Sequence, residues 1–214
     1  MEERKLTKKE QERKEVYEKV CEKMEKDGYK KHDLTVGLVF ANIAAFFLAI
    51  PFIAVMGIIY FNVNTGVFDS ISFWGFYLQL LIVLLLFFVL VVVHELIHGL
   101  TWGCFAKNHF KSISFGIIWK AVTPYCTCSE PLKKWQYIIG ALMPTIILGL
   151  GLGIISIFSG SLILFLTAMF MFFGGGGDML VVIKLLMYRT KRKDAVIYDH
   201  PYECGLVVFE KDKN

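Results

Sequence analysis

Apolar residues dominate this chain in unbroken runs, and the charged residues between them fall in a few blocks. No charged side chain lies between Asp33 and Asp69, none lies between Ser70 and Val93, and from Trp135 up to Lys184 the only charge is Asp178. A helix rises about 1.5 Å per residue, so roughly 20 apolar residues cross about 30 Å of hydrocarbon. The pattern predicts four transmembrane helices, at about 34–60, 73–103, 135–158 and 162–187, with Phe158 to Ser161 ("FSGS") turning the chain between the last two.

Two stretches change period. Ile113, Phe115, Ile117, Trp119 and Ala121 alternate with Ser112, Ser114, Gly116 and Lys120, which predicts a strand or small β-hairpin between helices 2 and 3. Near the C-terminus, two short β-prone runs flank a turn signal at Asp199-His200-Pro201 and suggest a small appendage. Residues 1–33 are charged, with Glu10/Lys14, Glu15/Lys19 and Glu22/Lys26 spaced i to i+4 and Val16, Val20 and Met24 on one stripe. This spacing predicts a helix that lies on the membrane or packs on the protein, the plainer alternative being an ordinary solvated helix. The expected fold is an all-α integral membrane protein. A four-span domain over 34–187 stands between a charged helical segment (1–33) and a short tail (188–214).

Composition supports the membrane assignment, since 56% of the 214 residues are hydrophobic. Lys and Arg gather in the N-terminal block, between Lys107 and Lys134, and after Lys184, whereas the other two connections carry none. Positive charge stays on the cytoplasmic side, so both termini are expected there, in a multi-pass protein of a bacterial cell membrane. The first apolar run follows a charged segment of about thirty residues and is longer than a signal-peptide core, which makes it a retained anchor. All five cysteines fall on the cytoplasmic side under this topology, where thiols stay reduced, so no disulfide is expected. The net charge of +4 is small and sits beside the spans, which suits anionic lipid headgroups better than nucleic acid.

The second apolar run ends in His94-Glu95-Leu96-Ile97-His98, the HExxH pattern. On a helix, histidines four residues apart share a face and can bind one ion, and Glu95 beside them can take a proton from water that the ion activates. Zinc suits this set, and catalytic zinc usually has three protein ligands plus an open position. The bland alternative is a pair of buried histidines bonded to backbone, with Glu95 paired to a lysine. Ionisable groups at membrane depth each cost on the order of 3 kcal/mol and tend to mark function, which favours the metal.

Depth selects the third ligand. The second and fourth spans both run inwards, and His94 and Asp178 lie at similar distances before the basic residues that follow them. Asp178 also follows Gly174 to Gly177, a helix-weakening run that allows another backbone to come close and is tolerated where it lines a protein-enclosed or wet cavity. A capping or lysine-paired aspartate is the alternative. His109 falls in a surface loop, and His32 and His200 lie in cytoplasmic segments. Cys126 and Cys128 ("CTC") are too closely spaced for the usual zinc pair and are expected to be structural thiols. Gly149, Gly151 and Gly153 are expected to permit close helix packing.

With "HELIHGL", "ALMPTIILG", "GGD" and "DHP" in this order over about residues 70 to 205, the chain resembles a bacterial family of membrane zincin peptidases. It is also similar to intramembrane zinc metalloproteases of the site-2 protease class. The resemblance implies that His94, His98 and Asp178 hold zinc and that Glu95 activates water. Two segments depart from the site-2 pattern: Gly-Gly-Asp-Met stands where Asn-Pro-Asp-Gly or Leu-Asp-Gly is usual, and Met143-Pro144-Thr145 matches Gly-Pro-x-x-Asn only loosely. The expectation is hydrolysis of a peptide bond in a membrane protein near the cytoplasmic face. A non-proteolytic accessory or immunity protein with a structural zinc is the alternative. Metal transport is disfavoured, because so few intramembrane polar residues offer little of a pathway.

Overall fold

A computed structural model describes residues 8–69, 71–118, 123–188, 195–200 and 203–211. Trp119, Lys120 and Ala121 of the alternating run, and Pro201 of the tail turn, lie outside the described residues. The elements are α1 (Lys8–Lys26), β1 (Tyr29–Asp33), α2 (Leu38–Val63), α3 (Phe73–Phe105), a 3-10 turn (His109–Ser112), β2 (Ile113–Ile118), β3 (Thr123–Cys128) and β4 (Leu132–Lys133), followed by α4 (Lys134–Pro144), a π-helical stretch (Thr145–Gly151), α5 (Leu152–Ser159), α6 (Leu162–Gly174), α7 (Gly176–Met187), β5 (Val196–Asp199) and β6 (Leu206–Lys211).

Among the described residues, three helical stretches are long and apolar enough to cross a membrane: Val39–Val63, Phe73–Phe105 and Lys134–Ser159. The fourth expected span is broken at Gly175 into α6 and α7, which meet at 43° and make a fourth crossing only if counted together. The third is continuous but not α-helical throughout. Pro144 has no N–H to donate, the N–H of Thr145 reaches back to the carbonyl of Leu142, and the chain widens into the π-helical stretch before α5 resumes. Apolar side chains of α3 such as Leu81, Leu85, Phe88 and Val92 stay exposed on the outside of the bundle, as hydrocarbon-facing residues would.

The all-α expectation is corrected by the strands. β2 and β3 form the expected antiparallel hairpin, Phe115 opposite Cys126 and Gly116 opposite Tyr125. A second, four-stranded antiparallel sheet runs in the order β1-β6-β5-β4. Its centre is β6, where Leu206, Val207, Val208 and Phe209 are all fully buried. β1 is Tyr-Lys-Lys-His-Asp and has no apolar period of its own; it is recruited as an edge by β6, with Lys31 opposite Phe209. The N-terminal helix is not merely solvated. Tyr17 and Met24, with Val20 and Cys21 beside them, pack on Tyr198, Val207 and Phe209, while Val16 of the expected stripe remains 46% exposed.

Two further clusters hold the helices. Ala49, Met56 and Tyr60 of α2 meet Phe165, Ala168 and Phe172 of α6, with the Tyr60 and Phe165 rings stacked at 4.2 Å. Two of the three alternate glycines serve this packing: Gly149 faces the Phe172 ring, and Gly153 faces Met56 and Ala168. The other cluster joins Trp102 of α3, Cys126 and Cys128 of β3, Tyr137 and Ala141 of α4, Leu185 of α7 and Ile197 of β5. It lies where the helices meet the sheet, and the candidate site adjoins it.

Candidate metal centre

His94 and His98 are buried on one face of α3 and turn towards α7, whose first turn carries Asp178. His94 Nε2 lies 3.1 Å from Asp178 Oδ2, His98 Nε2 lies 3.4 Å from the same oxygen, and the two Nε2 atoms are 3.2 Å apart. A tetrahedral zinc site with ligands at about 2.0–2.1 Å has those ligands about 3.3–3.4 Å from one another. The donor triangle therefore has the size, and the imidazole and carboxylate chemistry, of one face of such a site. Among the described residues no further His, Cys, Asp or Glu joins the group. Access is lopsided: the histidine side chains are 9% and 4% exposed, and that of Asp178 is 27% exposed.

Two of the donors, His98 and Asp178, are held by backbone that the local sequence allows. The Nδ1–H of His98 donates to the carbonyl of Gly140 at 2.8 Å, which leaves Nε2 as the free lone pair. Gly140 also admits Trp102, since a Cβ there would stand 2.7 Å from Trp102 Cε2 and closer still to Nε1 and Cδ1. Trp102 stacks on the His98 ring at 5.0 Å and 16°, and its Nε1–H donates to the carbonyl of Tyr137 at 3.3 Å. The glycine run before Asp178 brings backbones together: a Cβ on Gly176 would stand 2.8 Å from the carbonyl carbon of Ala45, and one on Gly175 would overlap the Thr145 side chain. The far end of α7 is tied down by Lys184, whose Nζ donates to the carbonyls of Leu34 and Thr35.

Glu95 is half-buried next to the histidines and accepts a hydrogen bond from the Cys126 amide of β3. The hairpin therefore lies against the site, with Phe115 and Ile113 over Gly99, where a Cβ would meet both. Two residues on, the Cys128 amide donates to Asp199 Oδ2 at 3.1 Å, and Asp199 Oδ1 accepts from the Tyr137 hydroxyl at 2.7 Å. Burial pushes the Asp199 carboxyl up to about 6 despite these two donors. It likewise pushes the Cys126 thiol up and the Cys128 thiol up to about 12, which keeps both protonated and poor as ligands. Burial also opposes ionisation of Glu130, but donors from Ser112, Asn108 and Lys107 outweigh it and hold that carboxyl low, pinning the turn before β2.

The other histidines stay away from the cluster. His32 packs against Tyr188, His109 occupies the 3-10 turn with a φ of 51°, and His200 lies against Tyr17 with its Nδ1 accepting from the amide of Glu203. Missed by pattern alone were Gly140, Trp102, Tyr137 and Asp199. The spacing of Trp102, four residues after His98, is the signal that was available.

Apolar helices that bring two histidines of one helix and an aspartate of another to zinc-ligand spacing, with a glutamate alongside, define the class: a candidate mononuclear metal centre of zincin type. Residues 87–192, which contain all four residues, match a family described as "Putative zincin peptidase", which supports a zincin-type peptidase family for this part of the chain. No curated protein matches the chain. No solved structure matches it either.

Proposed function

We propose that the protein is a zinc metallopeptidase of the cell membrane that hydrolyses a peptide bond of a membrane-protein substrate at or just inside the cytoplasmic face. The observation that carries the reading is the three-donor set of His94, His98 and Asp178 with Glu95 beside it and no fourth donor among the described residues. Structural zinc usually has four protein ligands, whereas catalytic zinc keeps a position open. When bound there, zinc polarises the scissile carbonyl and makes water acidic enough to be deprotonated near neutral pH. His94, His98 and Asp178 would hold it, with His98 fixed in one tautomer by Gly140. Glu95 takes the proton from the attacking water and returns it to the leaving amine, and the Cys126 amide keeps the carboxylate turned to that task.

The hairpin supports a role in presenting substrate. A transmembrane helix hides its own peptide bonds, so a substrate must be extended at the cleavage point, and an exposed strand edge can hold it so. Among the described residues β2 has no strand on its outer side, and it runs beside the helix that carries His98. The distribution of Lys and Arg supports a multi-pass arrangement with both termini, the sheet and the hairpin on the cytoplasmic side.

The test is purification in detergent, zinc analysis, and comparison of wild-type and Glu95→Gln proteins on isolated membranes whose cleavage products are read by terminal proteomics. Retained zinc with products that vanish in Glu95→Gln is expected. Absence of zinc, or products unchanged by Glu95→Gln, overturns the proposal. Retained zinc without products, together with unfolding of His94→Ala and Asp178→Ala, identifies a structural zinc in an accessory or immunity protein.

A further inference from the structure

We infer that Asp199 is a positioning residue for the metal centre, a single carboxylate that ties the register of β3 to the placement of α4 and so holds Glu95 and His98 in their working orientations. The inference rests on the reading of His94, His98 and Asp178 as a zinc site. Asp199 lies on β5, beyond the residues 87–192 that match the family.

Alternate amides of an antiparallel strand point to the same edge. On the edge of β3 turned away from β2 the donors are the amides of Cys126 and Cys128, and each is taken by a carboxylate: Glu95 from α3 and Asp199 from β5. With the second amide anchored, β3 cannot slide without dragging the first off Glu95. The other oxygen of Asp199 accepts from Tyr137, buried one helical turn before Gly140 on α4. That turn touches His98 twice, through the Gly140 carbonyl on its Nδ1 and through Trp102, which bonds to the Tyr137 carbonyl and stacks on the imidazole. Both oxygens of Asp199 are thus committed, and each leads within a few contacts to a group at the site.

Asn is nearly isosteric but offers one acceptor oxygen and an NH2 group, so Asp199→Asn cannot accept from Tyr137 and from Cys128 on separate oxygens as the carboxylate does. Tyr137→Phe cuts the α4 arm alone. Full-length protein in detergent is titrated with Co2+ as the probe, and visible d–d absorption reports both affinity and the ligand field. Partners beyond the ligands are worth about 10–100-fold in metal affinity. Asp199→Asn and Tyr137→Phe are each expected to weaken Co2+ binding about tenfold and to shift the band. Hydrogen exchange over residues 123–128 is expected to quicken in Asp199→Asn and to stay unchanged in Tyr137→Phe. Wild-type affinity, spectrum and exchange in Asp199→Asn overturn the inference while leaving the zinc reading intact. A wild-type chain that takes up no Co2+ overturns the zinc reading and the inference with it.

Discussion

Gly140 gives the sharpest test of how the site is held. Replacing it with Ala puts a methyl group 2.7 Å from Trp102 Cε2 and nearer still to Nε1 and Cδ1, well inside ordinary van der Waals contact. Neither partner yields easily, because Trp102 is 4% exposed, is bonded to the Tyr137 carbonyl, and stands between the rings of His98 and Tyr137. Overpacking of this kind costs about 1–3 kcal/mol, and losing the indole hydrogen bond adds about 1 kcal/mol. Any shift of the indole or of α4 also disturbs the 2.8 Å bond that orients His98, which predicts about tenfold weaker zinc binding. Chelator competition measures the affinity, and denaturant unfolding in detergent measures the stability. A Gly140→Ala protein that matches the wild type in both would refute the account of how His98 is held.

Three further outcomes follow from the same contacts. Gly177→Ala, with open space at its Cβ position, is expected to hold or raise stability by up to about 1 kcal/mol, whereas Gly176→Ala, 2.8 Å from the Ala45 carbonyl carbon, should destabilise measurably in the same unfolding assay. Asp199 is raised to about 6 from 3.8, so the protein favours its protonated form: the stabilisation is complete below pH 4 and is lost as pH rises through 6. The unfolding free energy of wild type minus that of Asp199→Asn should accordingly fall by on the order of 3 kcal/mol between pH 4 and pH 7, and a flat difference would contradict the burial argument. On the zinc reading, a chelator should lower the thermal midpoint reversibly, with recovery on adding Zn2+ back.

Much of the candidate cluster was legible because its members follow local rules. His94 and His98 announce themselves by a four-residue spacing inside hydrocarbon-like sequence, and Asp178 by depth and by the glycines before it. Gly176 does admit another backbone, that of Ala45. The hairpin was legible because Phe115 and Ile117 alternate with Ser114 and Gly116. What stayed hidden depends on partners distant in sequence. β1 carries two lysines, a histidine and an aspartate in five residues and becomes a strand only because β6 needs an edge. The π-helical stretch follows from Pro144 acting within a packed helix, where a proline alone predicts only an ending or a kink. Asp199 could be seen as part of a turn signal, but its two bonds join residues 62 and 71 positions away, and no window on the sequence spans that.

The break at Gly175 places Asp178 on the last apolar helix, about 80 residues after His98, with Asp199 later still. At about 5–20 residues per second of synthesis, the growing chain holds its two histidines for roughly 4–16 s before the carboxylate is made. Through that interval the growing protein carries two of the three donors, and the third is still to come. On the proposed reading, the donor set is therefore completed only when the last apolar helix is made, after every other candidate span.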